Sequence, residues 1–142
     1  MTLLLTFLLV LSGASWPALD GFVIGHLPPG AGRASDFAYE SDEGVRFVSR
    51  VWERPGAVDL TVAVLRGPEL ATGAGLRAFM AAYHERSPGS WSEVRVGGRP
   101  GFGDGDEVFW LAAPGVAVSV AIDAGRFGGG ELMKVAESVR DG

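Results

Sequence analysis

Two pairs of apolar segments, each joined by a short Pro-Gly turn, constrain the fold of this chain more than any other feature. The first pair is residues 45–53 with residues 58–64, and the second is residues 108–112 with residues 116–122. The apolar side chains alternate most clearly in residues 58–64 and 116–122, which is the spacing of a β-strand. Because a short turn lets two such segments pair directly, the sequence predicts two antiparallel hairpins.

Two further segments have helical spacing, in which every third or fourth residue is apolar. In residues 73–86 the stripe consists of Leu76, Phe79, Met80 and Tyr83. In residues 131–140 it consists of Leu132, Val135, Ala136 and Val139. Thr72 precedes the first segment, and a threonine at that position caps a helix with its side-chain oxygen. We therefore expect two helices, at about residues 73–86 and 131–140.

The remaining segments complete the outline of the fold. Residues 36–40 and 91–96 are predicted to be short strands, whereas the glycine-rich residues 97–101 and 103–107 are predicted to be loops. The chain should therefore form an α+β domain with an antiparallel sheet of about five to seven strands and both helices packed on one face.

Charge is absent from the first nineteen residues, and the first charged side chain is Asp20. Here an apolar run, residues 3–11, precedes a set of small residues, an order typical of a secretory signal peptide. We therefore expect residues 1–15 to be a signal peptide or N-terminal anchor, and residues 16–142 to be one secreted or extracytoplasmic domain. Membrane contact is expected at most through residues 1–19, since a span needs about 20 apolar residues. The third alternative is that this stretch is an ordinary part of the fold.

Charge and cysteine content exclude several classes of function. The net charge is −5, Lys134 is the single lysine, and the arginines are scattered along the chain. A nucleic-acid partner needs clustered basic residues on one face, so none is expected. The chain has no cysteine, which excludes disulfides, thiol catalysis and zinc–thiolate sites.

Catalytic motifs are absent from the sequence. It has no nucleophile elbow, phosphate-binding loop or dinucleotide fingerprint, so we predict no catalytic residue and no cofactor. The acidic residues Asp104, Asp106 and Glu107 are weak candidates for a cation site, because their spacing differs from that of a calcium-binding loop. A site with two histidines would require His26 and His84 to meet in the fold.

A candidate binding surface lies on the first predicted hairpin. Arg46, Arg50 and Trp52 fall on the same face of their strand, because an even number of positions separates them. A tryptophan beside arginines is typical of a protein-binding surface, provided that this face is open. His84, at the end of the first predicted helix, is the fourth candidate residue.

Two family resemblances support this outline. Residues 94–140 contain a Trp-containing hairpin, Val108-Phe109-Trp110-Leu111, before a closing helix with Ala136-Glu137-Ser138. This region resembles the extracytoplasmic β-rich domain of bacterial anti-sigma factors and related lipoproteins, in which a Leu-Pro-x-Gly segment like Leu27-Pro28-Pro29-Gly30 is common. Residues 22–140 are also similar to uncharacterised small secreted proteins of high-GC bacteria, through strings such as Ser49-Arg50-Val51-Trp52-Glu53. These resemblances imply an extracytoplasmic location and a β-rich fold, and no activity.

Together these features predict a non-enzymatic secreted or cell-surface domain that binds a protein or an envelope component. Two alternatives stay open. The first is a carrier of a small apolar ligand or lipid, which requires an apolar cavity of several hundred Å³, on the order of an ordinary ligand site, between sheet and helices. The second is a hydrolase, which requires Asp104, Asp106 or Glu107 to converge in a cleft.

Overall fold

The computed structural model describes residues 9–10 and 17–142, which form a large antiparallel sheet, a small second sheet and two helices. In chain order the strands are β1 (Leu9–Val10), β2 (Phe22–Ile24), β3 (Arg33–Glu40), β4 (Arg46–Arg54), β5 (Ala57–Arg66), β6 (Ser92–Val96), β7 (Arg99–Gly103), β8 (Glu107–Ala113), β9 (Val116–Ile122) and β10 (Val139–Asp141). The helices are α1 (Gly73–His84) and α2 (Glu131–Ser138). The predicted α+β class with an antiparallel sheet is confirmed.

The large sheet contains seven main strands in the order β3-β4-β5-β9-β8-β7-β6, and β1 extends it at the β3 edge. Both predicted hairpins are present, since β4 pairs with β5 and β8 pairs with β9. The tight turns use glycines with positive φ, Gly56 at 80° and Gly115 at 82°. The two hairpins meet at the centre of the sheet, where β5 pairs with β9.

The two helices lie on opposite faces of the large sheet, so the prediction that both pack on one face is wrong. Along β5, Val62 and Val64 belong to the apolar cluster that contains residues of α2. Ala63 and Leu65 belong to the cluster that contains residues of α1. Successive strand residues point to opposite faces, so these clusters define an α2 face and an α1 face. Because the central strands are apolar on both faces, each face needs a covering layer.

Helix α1 begins where the sequence predicts and ends two residues earlier. The Thr72 Oγ1 atom accepts a hydrogen bond of 3.0 Å from the Gly75 backbone N–H, which caps the first turn. Glu85 follows the helix in the left-handed conformation, with φ of 55°, and its N–H bonds back to the last turn.

The C-terminal end of the chain is a strand, where the sequence predicted a continuing helix. Helix α2 ends at Ser138, and Val139–Asp141 pair as β10 with Phe22–Ile24 in the small second sheet. The apolar stripe included Val139, which is buried in the strand as well. Periodicity alone therefore does not distinguish the two conformations at this residue.

The glycine-rich segment that was predicted to be a loop contains β7. Gly101 and Gly103 pair with β8 so closely that a Cβ atom at either would lie 2.9 Å from a β8 backbone oxygen. The lack of side chains, which hid the strand in the sequence, is what permits this pairing.

The predicted signal peptide or anchor, residues 1–15, lies outside the described residues except for Leu9 and Val10. These two pair with Asp36 and Ser35 at the edge of β3. All the other strands and both helices begin after residue 16. Within the described part of the chain, no helix combines the length and the apolar character needed to cross a bilayer.

Candidate functional site

An open groove of about 700 Å³ lies on the α1 face, beside the C-terminal end of α1. Its floor consists of side chains from three neighbouring strands: Phe37, Ser49, Val51 and Thr61. Phe37 is opposite Ser49 in the register of β3 and β4, and Val51 is opposite Thr61 in that of β4 and β5. The groove exists because α1 covers one part of this face and ends before it reaches these residues.

One wall of the groove is aromatic. The Tyr39 ring stacks on Phe47 with 4.7 Å between ring centroids, and Tyr83 of α1 stacks on Phe47 at 4.9 Å. The hydroxyl oxygens of Tyr39 and Tyr83 are 2.5 Å apart and share a hydrogen bond. Burial raises the pKa of the Tyr39 phenol, and the hydrogen bond and charge interaction with Tyr83 raise it further. This phenol is therefore neutral at physiological pH and is a hydrogen-bonding group, not a base.

The acidic rim of the groove lies in the turn between β3 and β4, next to Tyr39. Ser41 holds this turn, because its N–H donates to the Val45 carbonyl at 2.9 Å and its Oγ accepts from the Val45 N–H at 3.1 Å. Asp42 and Glu43, at the tip, line the groove and are exposed. The groove thus combines aromatic surface, hydroxyl groups and negative charge.

A second group of polar residues lies under the end of α1 and is arranged as a structural contact. The His84 Nε2 atom is 3.2 Å from Glu107 Oε2, and the Ser119 hydroxyl donates to the same oxygen at 3.3 Å. The carboxylate is thus between the hydroxyl and the imidazole. In a Ser-His-acid triad the imidazole lies between the hydroxyl and the carboxylate, so these three residues do not have the order of a triad.

The acidic residues that were candidates for a cation site do not point toward a common centre. The Asp104 Oδ1 atom accepts hydrogen bonds from the backbone N–H groups of Asp106 and Glu107, each at 2.8 Å. Asp104 also pairs with Arg86 at 3.2 Å, while the Glu107 carboxylate turns toward His84. Asp104 therefore caps its own turn, and in the described residues no group of three or more His, Asp or Glu is placed to hold a metal ion.

The two histidines belong to separate hydrogen-bonded pairs. His26 Nε2 lies 2.8 Å from Glu131 Oε1 at the start of α2, whereas His84 lies against Glu107. The hydrogen bond with His26 is the largest cause of the lowered pKa of Glu131, and the charge interaction with Lys134 lowers it further. These contacts join elements of the fold and do not bring the histidines together.

The four residues of the candidate binding surface do not share an open face. Trp52 is 3% exposed and belongs to the core of the α2 face, and Arg50 is 2% exposed. Arg50 donates two hydrogen bonds to the Asp36 carboxylate, at 2.6 and 2.9 Å. Arg46 remains exposed and lies 3.3 Å from Asp20, while His84 is on the α1 face. The condition of an open face is not met, because Trp52 is buried in an apolar cluster that also contains residues of β2 and α2.

The sequence reasoning missed the groove. Tyr39 was placed in a short strand and Tyr83 in the apolar stripe of a helix, and both placements are correct. Nothing in the sequence says that the last turn of α1 lies over β3, so their meeting could not be read from the pattern.

Comparisons with known proteins do not add to this geometry. No family model, no curated protein and no solved structure matches the chain. The resemblances to anti-sigma-factor domains and to small secreted proteins therefore stay predictions, and the candidate site is argued from its own residues.

Proposed function

We propose that this protein is a non-enzymatic, extracytoplasmic binding domain that holds its ligand in the groove on the α1 face. The observation that supports this is the size and lining of the groove, about 700 Å³ with aromatic and hydroxyl-bearing side chains. Ligand sites in proteins are mostly about 300–1,000 Å³ and combine apolar walls with a few polar groups.

The chemistry of the groove favours a ligand with an apolar body and a positively charged group. Phe37, Tyr39 and Tyr83 offer apolar ring surface, and aromatic faces attract cations. Glu43 adds negative charge at the rim. A small amphiphilic envelope component with an amine or quaternary ammonium group has this combination. A ligand of this kind is consistent both with the predicted envelope component and with the alternative of a carrier for a small apolar molecule. The floor of the groove is, however, more polar than a site for a purely apolar ligand needs to be.

The hydrolase alternative has less support. Asp104, Asp106 and Glu107 are not among the residues that line the groove, and the Glu107 carboxylate is engaged by His84 and Ser119. A catalytic acid and base must reach one substrate together, and the side chains of Asp104 and Glu107 have separate partners, Arg86 and His84.

The ligand proposal is tested with two amphiphiles of equal chain length and opposite charge, dodecyltrimethylammonium and dodecyl sulfate, both below their micelle-forming concentrations. Backbone amide shifts in NMR spectra report where each binds. The cation should shift residues of β3, β4 and the end of α1, and dodecyl sulfate should bind more weakly there. Equal binding of both, or shifts that avoid the groove, would contradict the proposal.

A matched pair of variants tests the rim charge. Glu43→Gln removes one rim charge and should weaken binding of the cation a few-fold, since an exposed charge contributes about 1 kcal/mol or less. Glu137→Gln removes an exposed charge from α2, on the opposite face, and should leave the affinity unchanged. A loss of the same size in both variants would show a general charge effect.

The location is tested by expressing the full gene in a secreting high-GC bacterial host and measuring the intact mass in each fraction. Export with cleavage predicts a product in the medium that starts near Ser15 or Trp16. Both helices and all strands except β1 lie after this point, so cleavage is compatible with the rest of the fold. A cytosolic product that keeps Met1 would contradict export without affecting the groove experiment.

A further inference from the structure

The chain has two tyrosines, and the fold brings their hydroxyl groups into contact. Tyr39 is on β3 and Tyr83 is in the last turns of α1, 44 positions away in sequence, and their oxygens are 2.5 Å apart. Both rings also stack on Phe47, which restricts their orientation. Two phenols that are far apart in the chain are thus held together at the wall of the groove.

One of the two phenols is open to solvent. Tyr83 is 41% exposed, whereas Tyr39 is partly buried behind it. An oxidant in solution can therefore reach Tyr83 directly, and the shared hydrogen bond connects its hydroxyl to that of Tyr39. The pair has the two properties that oxidative coupling requires, which are access for the oxidant and proximity of a second phenol.

We propose that Tyr39 and Tyr83 are an oxidative cross-linking site, at which hydrogen peroxide and a haem peroxidase join the two rings as dityrosine. Each phenol loses one electron and its hydroxyl proton, which gives two phenoxyl radicals. The radicals form a carbon–carbon bond between ring carbons ortho to the oxygens. The hydrogen on each of these carbons then moves to the adjacent oxygen, which restores both aromatic rings. The two electrons and two protons reduce one hydrogen peroxide molecule to two water molecules.

The dityrosine would be a covalent cross-link between two elements of the fold, which disulfides cannot provide in this chain. The chain has no cysteine, so no disulfide connects its elements. A bond between Tyr39 and Tyr83 would connect the end of α1 to strand β3 and close a loop in the unfolded chain. Closing a loop reduces the entropy of the unfolded state, so the cross-linked protein should unfold at a higher temperature. This inference is independent of the ligand proposed for the groove.

The test is treatment of dilute purified protein with horseradish-type haem peroxidase and hydrogen peroxide. The expected product is a monomer that is lighter by two hydrogen atoms and has the blue fluorescence of dityrosine. After trypsin digestion, the peptide that contains Tyr39 should be linked to the peptide that contains Tyr83. Thermal unfolding of the isolated product should show a higher midpoint than that of untreated protein.

Two conservative variants serve as matched controls, because each keeps the ring stack on Phe47. Tyr39→Phe leaves the exposed phenol without its partner, and Tyr83→Phe leaves only the partly buried one. Neither variant should give the lighter fluorescent monomer. The proposal is overturned if the wild-type protein forms only covalent dimers or no dityrosine, or if either variant still gives a monomer lighter by two hydrogen atoms, because a chain with one tyrosine cannot form dityrosine within itself.

Discussion

The two faces of the large sheet differ in how completely they are covered, although the same strands form both. On the α2 face, large side chains such as Trp52 and Leu60 are buried against α2 and the residues around β2. On the α1 face, the neighbouring positions include Ser49 and Thr61, which are small and polar, and α1 ends beside them. Alternate residues of one strand can therefore specify a filled core on one side of the sheet and an open groove on the other.

The largest difference between the faces should appear when adjacent residues of β4 are truncated. Trp52→Ala leaves a cavity in the α2 face and should lower the free energy of unfolding by about 3–5 kcal/mol. Val51→Ala changes a residue of the groove floor and should cost less than about 1 kcal/mol. Guanidinium unfolding followed by circular dichroism measures both. Similar losses in the two variants would mean that the α1 face is as closed as the α2 face.

The closed part of the molecule contains a buried charge as well as apolar side chains. Asp59 is fully buried and accepts hydrogen bonds from Arg54 at 3.0 Å and the Gly32 N–H at 2.9 Å, while Arg126 lies 3.1 Å away. Burial raises the pKa of this carboxyl, but the hydrogen bonds and arginine charges together outweigh burial and leave it below the ordinary value.

A lowered pKa in the folded state means that Asp59 stabilises the protein above its ordinary pKa of about 3.9, and that this contribution disappears as pH falls below it. Asp59→Asn should therefore be less stable than wild type at pH of about 7 and lose less stability in acid. We expect a smaller loss than for Trp52→Ala, because Arg54 and Arg126 are partly exposed and water can replace their partner. Urea unfolding across an acid pH series tests this, and parallel curves for both proteins would contradict it.

The smallest effect is expected on the open face, at the tyrosine pair. Because burial and the Tyr83 contact raise the pKa of Tyr39, its phenol should stay protonated above the ordinary value of about 10. In the unfolded chain the Tyr39 phenol ionises at its ordinary pKa, which is lower than its pKa in the folded protein. The free energy of unfolding should therefore decline as pH rises beyond this value. Tyr83→Phe removes one hydrogen bond and should cost about 1 kcal/mol.

Ultraviolet titration of phenolate absorbance measures this directly. In wild type, one tyrosine should ionise late or only on unfolding. In Tyr83→Phe the pKa of the remaining Tyr39 should be lower than in wild type. If both wild-type tyrosines ionise together near the ordinary value, the wall of the groove is more open than the contacts indicate.

Local sequence patterns predicted most of the strands and both helices. The errors concern the sheet faces on which the helices pack and two segments whose pattern fits more than one conformation. The hairpins followed from alternation and Pro-Gly turns, and Thr72 followed from its capping chemistry. The prediction that α1 and α2 cover the same face was wrong because small apolar residues such as Ala63 were not recognised as part of a second buried face. Strands β7 and β10 were not predicted, because a glycine-rich segment and an apolar stripe ending in a valine are each compatible with two conformations.

The candidate site was less predictable than the fold. Arg50 and Trp52 were correctly placed on one face of β4, but the sequence does not say what covers that face. Asp104 caps its own turn, a contact that a list of acidic residues does not reveal. The groove needs residues from β3, β4, β5 and α1 at once, so it depends on the packing of α1.

The pairing of β2 with β10 sets the direction in which the molecule faces when it is held by its C-terminal end. Phe22–Ile24 and Val139–Asp141 lie side by side, and the Gly142 N–H donates to the Gly21 carbonyl at 2.9 Å. The C-terminal residues are therefore fixed on the α2 side of the sheet, where Val139 joins the core. A tether, tag or immobilising surface attached after Gly142 would hold the protein by its closed side, with the groove turned outward.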